Sequence, residues 1–181
     1  MKNNNAKALF IEYEKWCLTA WRSNSKTPNY NDKDIDIIGF GLAGEIGELI
    51  EEYQKDNSGQ FSTEFKKELG DVIFYIIQCC NIFKFDFIGM YEKQHSKLFN
   101  ENKYLDNDNI FKELSLEALL SMEVFKKRIR DNKFNIKKLE NHLHKIISLI
   151  FVLEQNSSLE WKEIIDINIK KVEKKNKKAK Y

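Results

Sequence analysis

The sequence is poor in residues that break helices and has no long apolar run. It contains one proline, Pro28, and seven glycines among 181 residues, so few points force the backbone out of a regular helix. No segment approaches the roughly 18 uninterrupted apolar residues of a membrane span. The N-terminal sequence MKNNNAKALF lacks the apolar stretch of a signal peptide. We therefore expect a soluble, all-α protein.

The sequence also lacks a charge excess and a disulfide framework. Its 30 basic and 28 acidic residues nearly cancel, which argues against a general electrostatic attraction to nucleic acid or membranes. The three cysteines are odd in number, and Cys79 and Cys80 are adjacent within an apolar run, an arrangement that suits reduced core thiols. We predict a cytoplasmic protein that binds neither nucleic acid nor membrane.

Apolar residues recur at helical spacing along most of the chain. The spacing predicts seven helices, at about residues 6–22, 34–55, 62–83, 86–99, 114–130, 136–153 and 159–174. Polar, turn-rich sequence separates the fourth predicted helix from the fifth. The predicted organisation is a first helical unit at 1–99, a linker at 100–112, a second helical unit at 113–176 and a basic tail at 177–181.

The second half resembles a degenerate copy of the first. The segment ELGDVIFYIIQ aligns with HLHKIISLIFV, and YEKQHSKL aligns with IDINIKKV at the same intervening spacing. This alignment replaces four acidic residues, Glu48, Glu52, Glu68 and Asp71, by Lys126, Arg130, His142 and Lys145. The copy would then lack a metal site, and the chain would be an internally duplicated pseudo-dimer. The alternative is a chance alignment of two amphipathic hairpins.

Acidic residues share one face on each of two predicted helices. In GLAGEIGELIEE, Glu45, Glu48 and Glu52 lie three and four residues apart, and in ELGDVIFY, Glu68 and Asp71 repeat the three-residue spacing. Carboxylates at the edge of a core must be paired, protonated or bound to a cation. Ligand sets of oxygen alone favour Mg²⁺ or Mn²⁺. The alternative is an exposed acidic face that binds nothing.

The two motifs together resemble those of the MazG-like, all-α nucleoside triphosphate pyrophosphohydrolases. Those proteins share a Glu-x-x-Glu pair, a spacer and a Glu-x-x-Asp pair, and here 19 residues separate Glu48 from Glu68. The resemblance extends from about Tyr13 to Leu98. It implies a helical bundle that cleaves a (d)NTP to a (d)NMP and pyrophosphate with magnesium. The magnesium ligands that it implies are Glu45, Glu48, Glu68 and Asp71.

The resemblance also directs attention to groups that would meet the substrate phosphates. The family often carries Asn-x-x-Lys-Leu followed by an arginine. Here the matching segment is QHSKL, which retains Lys97, but Glu101 stands near the position expected for the arginine. The second half offers a substitute at the same spacing in Asn168 and Lys171. Lys97 and Lys171 are therefore the candidate phosphate ligands.

Other residues are candidates for catalysis and base recognition. Glu48 and Glu52 are the candidate catalytic residues, with Glu52, one turn beyond Glu48, as a base or orienter of the attacking water. A surface role suits Glu52 equally well. Trp16 and Trp21 are candidates for stacking on the nucleobase, although aromatic residues at helical spacing more often belong to the core.

Three functions remain to be distinguished. The first is the hydrolase, acting on a nucleoside triphosphate as a homo-oligomer or as an intrachain pseudo-dimer. The second is a catalytically inactive helical module that binds nucleotides or proteins, an interpretation supported by the missing arginine and the divergent second half. The third follows from the Gly-x-Gly-x-x-Gly spacing of Gly39–Gly44, but the alternating strands and helices of a dinucleotide fold do not follow it.

Overall fold

The computed structural model describes residues 2–21, 30–55, 61–93, 105–157 and 159–178. Within these ranges the chain forms seven helices and no strand. In chain order, α1 to α7 are Lys2–Ala20, Asp32–Lys55, Thr63–Phe83, Phe87–Lys93, Asn107–Asp131, Ile136–Gln155 and Trp161–Lys178. The predicted all-α class is confirmed.

The central helix, α3, begins and ends at well-defined caps. Ser62 accepts a hydrogen bond from the Phe65 backbone N–H at 3.0 Å, as expected for an N-cap serine. At the other end, Lys84 adopts the left-handed conformation with φ of 60°, and its N–H donates to the Cys80 carbonyl. The predicted start of this helix at Ser62 is therefore confirmed, and the cap sets the position of the acidic residues along α3.

Two antiparallel hairpins, α2–α3 and α5–α6, form most of the bundle, and α2 packs against α5. The last helix, α7, has its main packing contacts outside the second hairpin. It packs along α3 and α1, with Lys66 paired to Glu163 at 2.8 Å and Asn176 donating to the Ala20 carbonyl at 3.1 Å. Elements from both halves of the chain therefore surround α3.

A cluster of aromatic rings ties the two halves into one core. The fully buried Phe10 of α1 contacts Phe87 and Tyr91 of α4, Phe151 of α6 and Trp161 of α7, with ring centroids 5.1 to 6.3 Å apart. Such tilted and edge-on arrangements are favourable for aromatic pairs. The buried hydrophobic residues form one continuous cluster, so both halves of the chain contribute to a single core.

The most apolar helix, α3, lies in the interior. No described helix is by itself long and apolar enough to cross a membrane, and α3 and α4 meet that criterion only as a pair bent by 120°. Cys17, Cys79 and Cys80 are buried free thiols, as predicted. Burial raises the pKa of the Cys79 thiol to about 12, so this thiol is protonated at neutral pH.

Candidate metal centre

Three acidic side chains converge where α2 faces α3. One carboxylate oxygen from each of Glu45, Glu48 and Glu68 lies within 4.8 Å of the other two, and we call these residues the carboxylate triad. Glu45 and Glu48 are one turn apart on α2, which places them on the same face. Glu68 is buried and Glu48 is exposed, so the triad extends from the core to the protein surface.

The electrostatics of the triad fit a bound cation. Burial, together with the nearby Glu48 and Glu68 carboxylates, raises the pKa of Glu45 to about 6. Glu68 Oε1 pairs with Lys67 at 3.0 Å, whereas its Oε2 atom is buried and has no hydrogen-bond partner. A buried carboxylate oxygen without a partner carries a large desolvation cost. A hard divalent ion such as Mg²⁺ or Mn²⁺ suits this all-oxygen set and would coordinate the oxygen that accepts no hydrogen bond.

The fourth predicted ligand, Asp71, is held by α7. Its Oδ1 accepts a hydrogen bond from Asn168 Nδ2 at 2.6 Å, and its Oδ2 accepts one from Lys171 Nζ. The same Lys171 Nζ lies 3.6 Å from Glu68 Oε2, which is close enough for an ion pair but too far for a hydrogen bond. Among the described residues, the carboxylates of three of the four predicted ligands lie together. The fourth, Asp71, lies outside the triad and beside Lys171.

Asn168 is the structural link between α1, α3 and α7. It is fully buried, and Tyr13 donates to its Oδ1 at 2.6 Å, which leaves the amide nitrogen facing Asp71. Close approach of α7 depends on Gly70, where an added Cβ would lie 2.9 Å from Asn168 Cβ and 3.2 Å from the Ile164 carbonyl oxygen. The Asn-x-x-Lys pair of the second half therefore contacts the Glu-x-x-Asp pair of the first.

Removing the Tyr13 hydroxyl tests this link. We expect Tyr13→Phe to lower the free energy of unfolding by about 1–3 kcal/mol, because the buried Asn168 carbonyl oxygen loses this donor. Urea denaturation followed by circular dichroism measures the change. The matched control is Tyr53→Phe, whose hydroxyl donates to the exposed Asp108 at 2.8 Å and whose loss should change stability by less than about 0.5 kcal/mol. Equal effects of the two substitutions would refute the structural role of Tyr13.

Glu52 and Lys97 do not join these contacts in the described part of the protein. Glu52 pairs with Lys55 at 2.8 Å, and the carboxylate triad does not include it. This pairing suits the surface role as well as a role in orienting water. Lys97 lies outside the described residues, so its part in phosphate binding stays a prediction.

The two tryptophans proposed for base stacking occupy positions typical of core residues. Trp21 is buried, and its indole N–H lies within hydrogen-bond distance of Asp34 Oδ1, at 3.3 Å. Trp16 is partly buried and stacks on Tyr13 with ring centroids 5.6 Å apart, and it also contacts Phe74. These contacts favour the core interpretation of both residues.

The second half contains a polar cluster around the buried Glu117, a residue that was not among the predicted site residues. Glu117 Oε2 lies 2.6 Å from His142 Nδ1, and Glu117 Oε1 accepts a hydrogen bond from Lys145 at 2.7 Å. Lys126 and Arg130, which the alignment of the two halves places at the positions of Glu48 and Glu52, pair with Glu123 and Asp131 of their own helix. An acidic residue at an apolar position, in the segment LSLEALL, is the sequence signal for this cluster.

Comparison with known proteins finds one family model that resembles part of the first half. Residues 37–105 match the family model described as the MazG nucleotide pyrophosphohydrolase domain. No curated protein and no solved structure matches the chain significantly. The matched range contains the triad and Asp71 but ends before α5, and therefore before Asn168 and Lys171. Residues 37–105 are thus similar to a MazG nucleotide pyrophosphohydrolase domain, as the paired acidic motifs predicted.

Proposed function

We propose that this protein is a magnesium-dependent nucleoside triphosphate pyrophosphohydrolase, which cleaves a (d)NTP to a (d)NMP and pyrophosphate. The observation that carries this proposal is the carboxylate triad with the buried Glu68 Oε2, which accepts no hydrogen bond, within the range matched by the family model. Asp71 is the fourth proposed ligand, since it lies on α3 one turn beyond Glu68. Mn²⁺ is an alternative to Mg²⁺ because it accepts the same oxygen ligands.

The acidic residues of the site, Asn168 and Lys171 have distinct roles in the proposed reaction. When bound, the metal neutralises the polyphosphate and lowers the pKa of the attacking water. Glu45, Glu48, Glu68 and Asp71 would hold it, and Glu48 is exposed to solvent. Asn168 fixes Asp71 from α7. The ammonium of Lys171, beside the acidic residues, is available for phosphate oxygens, and Glu52 is proposed to orient water.

The competing proposal is a helical module without catalytic activity. It is supported by the contact of Lys171 with Asp71 and by the pairing of Lys67 with Glu68. These two lysines already supply positive charge to the acidic residues of α3. Against it stands Glu68 Oε2, which neither lysine hydrogen-bonds and which a module without a ligand would leave unsatisfied at a cost.

Product analysis separates the two proposals. The protein is incubated with Mg²⁺ and each of the common NTPs and dNTPs in water enriched in ¹⁸O, and the products are identified by mass spectrometry. We expect pyrophosphate and a monophosphate, with one ¹⁸O in the monophosphate because water attacks the α-phosphorus. EDTA should abolish the reaction. Release of orthophosphate would contradict the cleavage position, and no product from any nucleotide would favour the inactive module.

The contacts of α7 also bear on assembly and location. Asn168 and Lys171 reach Asp71 from the same chain, so we propose that each chain completes one site without a partner subunit. This supports the intrachain arrangement over one that depends on a homo-oligomer. The free, buried thiols support a cytoplasmic location, where reducing conditions keep cysteines unpaired.

A further inference from the structure

We propose that Lys171 is the internal counter-ion of the metal-free site, and that a divalent cation displaces its ammonium from Asp71 towards the substrate phosphates. This inference rests on the proposed function, because it assumes a metal and a phosphate at this site. It goes further by giving one lysine two alternative positions and by coupling metal binding to phosphate binding.

The contacts of Lys171 support the first position. Its ammonium hydrogen-bonds Asp71 Oδ2 and lies 3.6 Å from Glu68 Oε2, so it lies between the two acidic residues of the Glu-x-x-Asp motif. Both carboxylates are only 6% exposed. Buried carboxylates require a nearby positive charge, and Lys171 provides one from the opposite helix.

Lys171, together with Lys67 on Glu68 Oε1, leaves the site incompletely satisfied. Glu68 Oε2 has no hydrogen bond despite its distance of 3.6 Å from Lys171 Nζ, and the carboxylates of Glu45 and Glu48 add negative charge beside it. A divalent ion carries twice the charge of an ammonium and accepts six or more oxygen ligands. Exchange of the ammonium for the metal is therefore favoured by the composition of the site.

The surroundings of Lys171 allow it to move without disturbing α7. Its side chain is 34% exposed and has four rotatable bonds. Asn168, one turn earlier on the same helix, is fully buried and bonded to both Tyr13 and Asp71. Asn168 therefore anchors α7 to α1 and α3, while the ammonium is free to swing out to a phosphate that approaches from solvent.

The buried cluster of the second half provides an internal contrast. Glu117 has one oxygen bonded to Lys145 and the other in contact with His142, so both of its oxygens are satisfied. The described metal-ligating groups of α5 and α6 include no carboxylate set like the triad. Lys145, whose side chain is 61% exposed, thus pairs with a buried carboxylate from which no metal is expected to displace it, and it serves as the matched control.

Metal titration of the nucleotide-free protein tests the inference directly. Mn²⁺ affinity is measured by electron paramagnetic resonance for the parent, Lys171→Met and Lys145→Met. We expect Lys171→Met to bind Mn²⁺ about tenfold more tightly, because no ammonium then competes for the carboxylates, and to turn over nucleotide more slowly. Lys145→Met should bind Mn²⁺ like the parent. Unchanged or weaker Mn²⁺ binding by Lys171→Met would overturn the inference, whereas no Mn²⁺ binding by the parent would refute the proposed metal site itself.

A second measurement uses the unaltered protein, in case Lys171→Met does not fold. Brief treatment with acetic anhydride, followed by peptide mass spectrometry, reports how reactive each lysine is. We expect Mg²⁺ to increase acetylation of Lys171, because the freed ammonium is no longer paired, and to leave Lys145 unchanged. Adding α,β-methylene-dATP with Mg²⁺ should then protect Lys171. Acetylation of Lys171 that does not respond to Mg²⁺ would contradict displacement, even if the protein hydrolyses nucleotides.

Discussion

Glu48→Gln should lower the rate of pyrophosphate release by roughly 100-fold or more, without a comparable loss of stability. Glu48 contributes one oxygen to the carboxylate triad and is exposed. The amide keeps the size of the side chain but removes its charge and one strong metal ligand. Because the position is exposed, the free energy of unfolding should stay within about 0.5 kcal/mol of the parent.

The rate is measured at saturating nucleotide over a range of Mg²⁺ concentrations, and stability by urea denaturation. The control is Glu51→Gln, three residues along the same helix, where the exposed carboxylate pairs with Lys55 at 2.9 Å. This variant loses the same charge from the same helix but no triad oxygen, so its rate should be close to that of the parent. Activity of Glu48→Gln within a few fold of the parent would contradict the metal assignment. A loss shared by Glu51→Gln would indicate a general charge effect instead.

Gly70→Ala is expected to destabilise the protein by about 3 kcal/mol and to lower its activity. The added Cβ would lie 2.9 Å from Asn168 Cβ and 3.2 Å from the Ile164 backbone oxygen, and neither atom is at the end of a flexible side chain. Relief of this contact requires α7 to move away from α3. That movement would also separate Asn168 and Lys171 from Asp71, so stability and activity should fall together.

The control for this prediction is Gly47→Ala on α2. A Cβ at Gly47 meets no atom within 4 Å, and alanine is the better helix former by up to about 1 kcal/mol, so this variant should be as stable as the parent or more stable. Urea denaturation and pyrophosphate release are measured for both variants. Parent-like stability and activity of Gly70→Ala would show that the close approach of α7 to α3 is not needed for folding or for the site.

The parts of the fold that follow local rules could be predicted from the sequence. Helical spacing of apolar residues depends only on neighbours in the chain, and it predicted seven helices, which the described residues form. The grouping of Glu45, Glu48 and Glu68 also follows locally, because a short connection between α2 and α3 makes them antiparallel neighbours. Position on the helix face then brings the three carboxylates together.

The parts of the site that depend on long-range packing could not be predicted in the same way. Asn168 and Lys171 lie about a hundred residues from Asp71, and Tyr13 is 155 residues from Asn168. No periodicity specifies which helices pack together over such distances. The motif spacing indicated Lys171 as a phosphate ligand, but its contact with Asp71 became visible only with α7 packed on α3. Glu117 was overlooked because its partners lie on another helix.

The packing of α7 against α1 and α3 has a consequence for how this protein can be divided. The family match ends at residue 105, yet a fragment cut there would lack the partner of Tyr13, the donors to Asp71 and the Trp161 ring against Phe10. It would expose apolar surface and leave a buried carboxylate uncompensated. The segment that matches the family model is therefore not expected to fold as an independent module, because the second half completes part of its core and the contacts of its acidic residues.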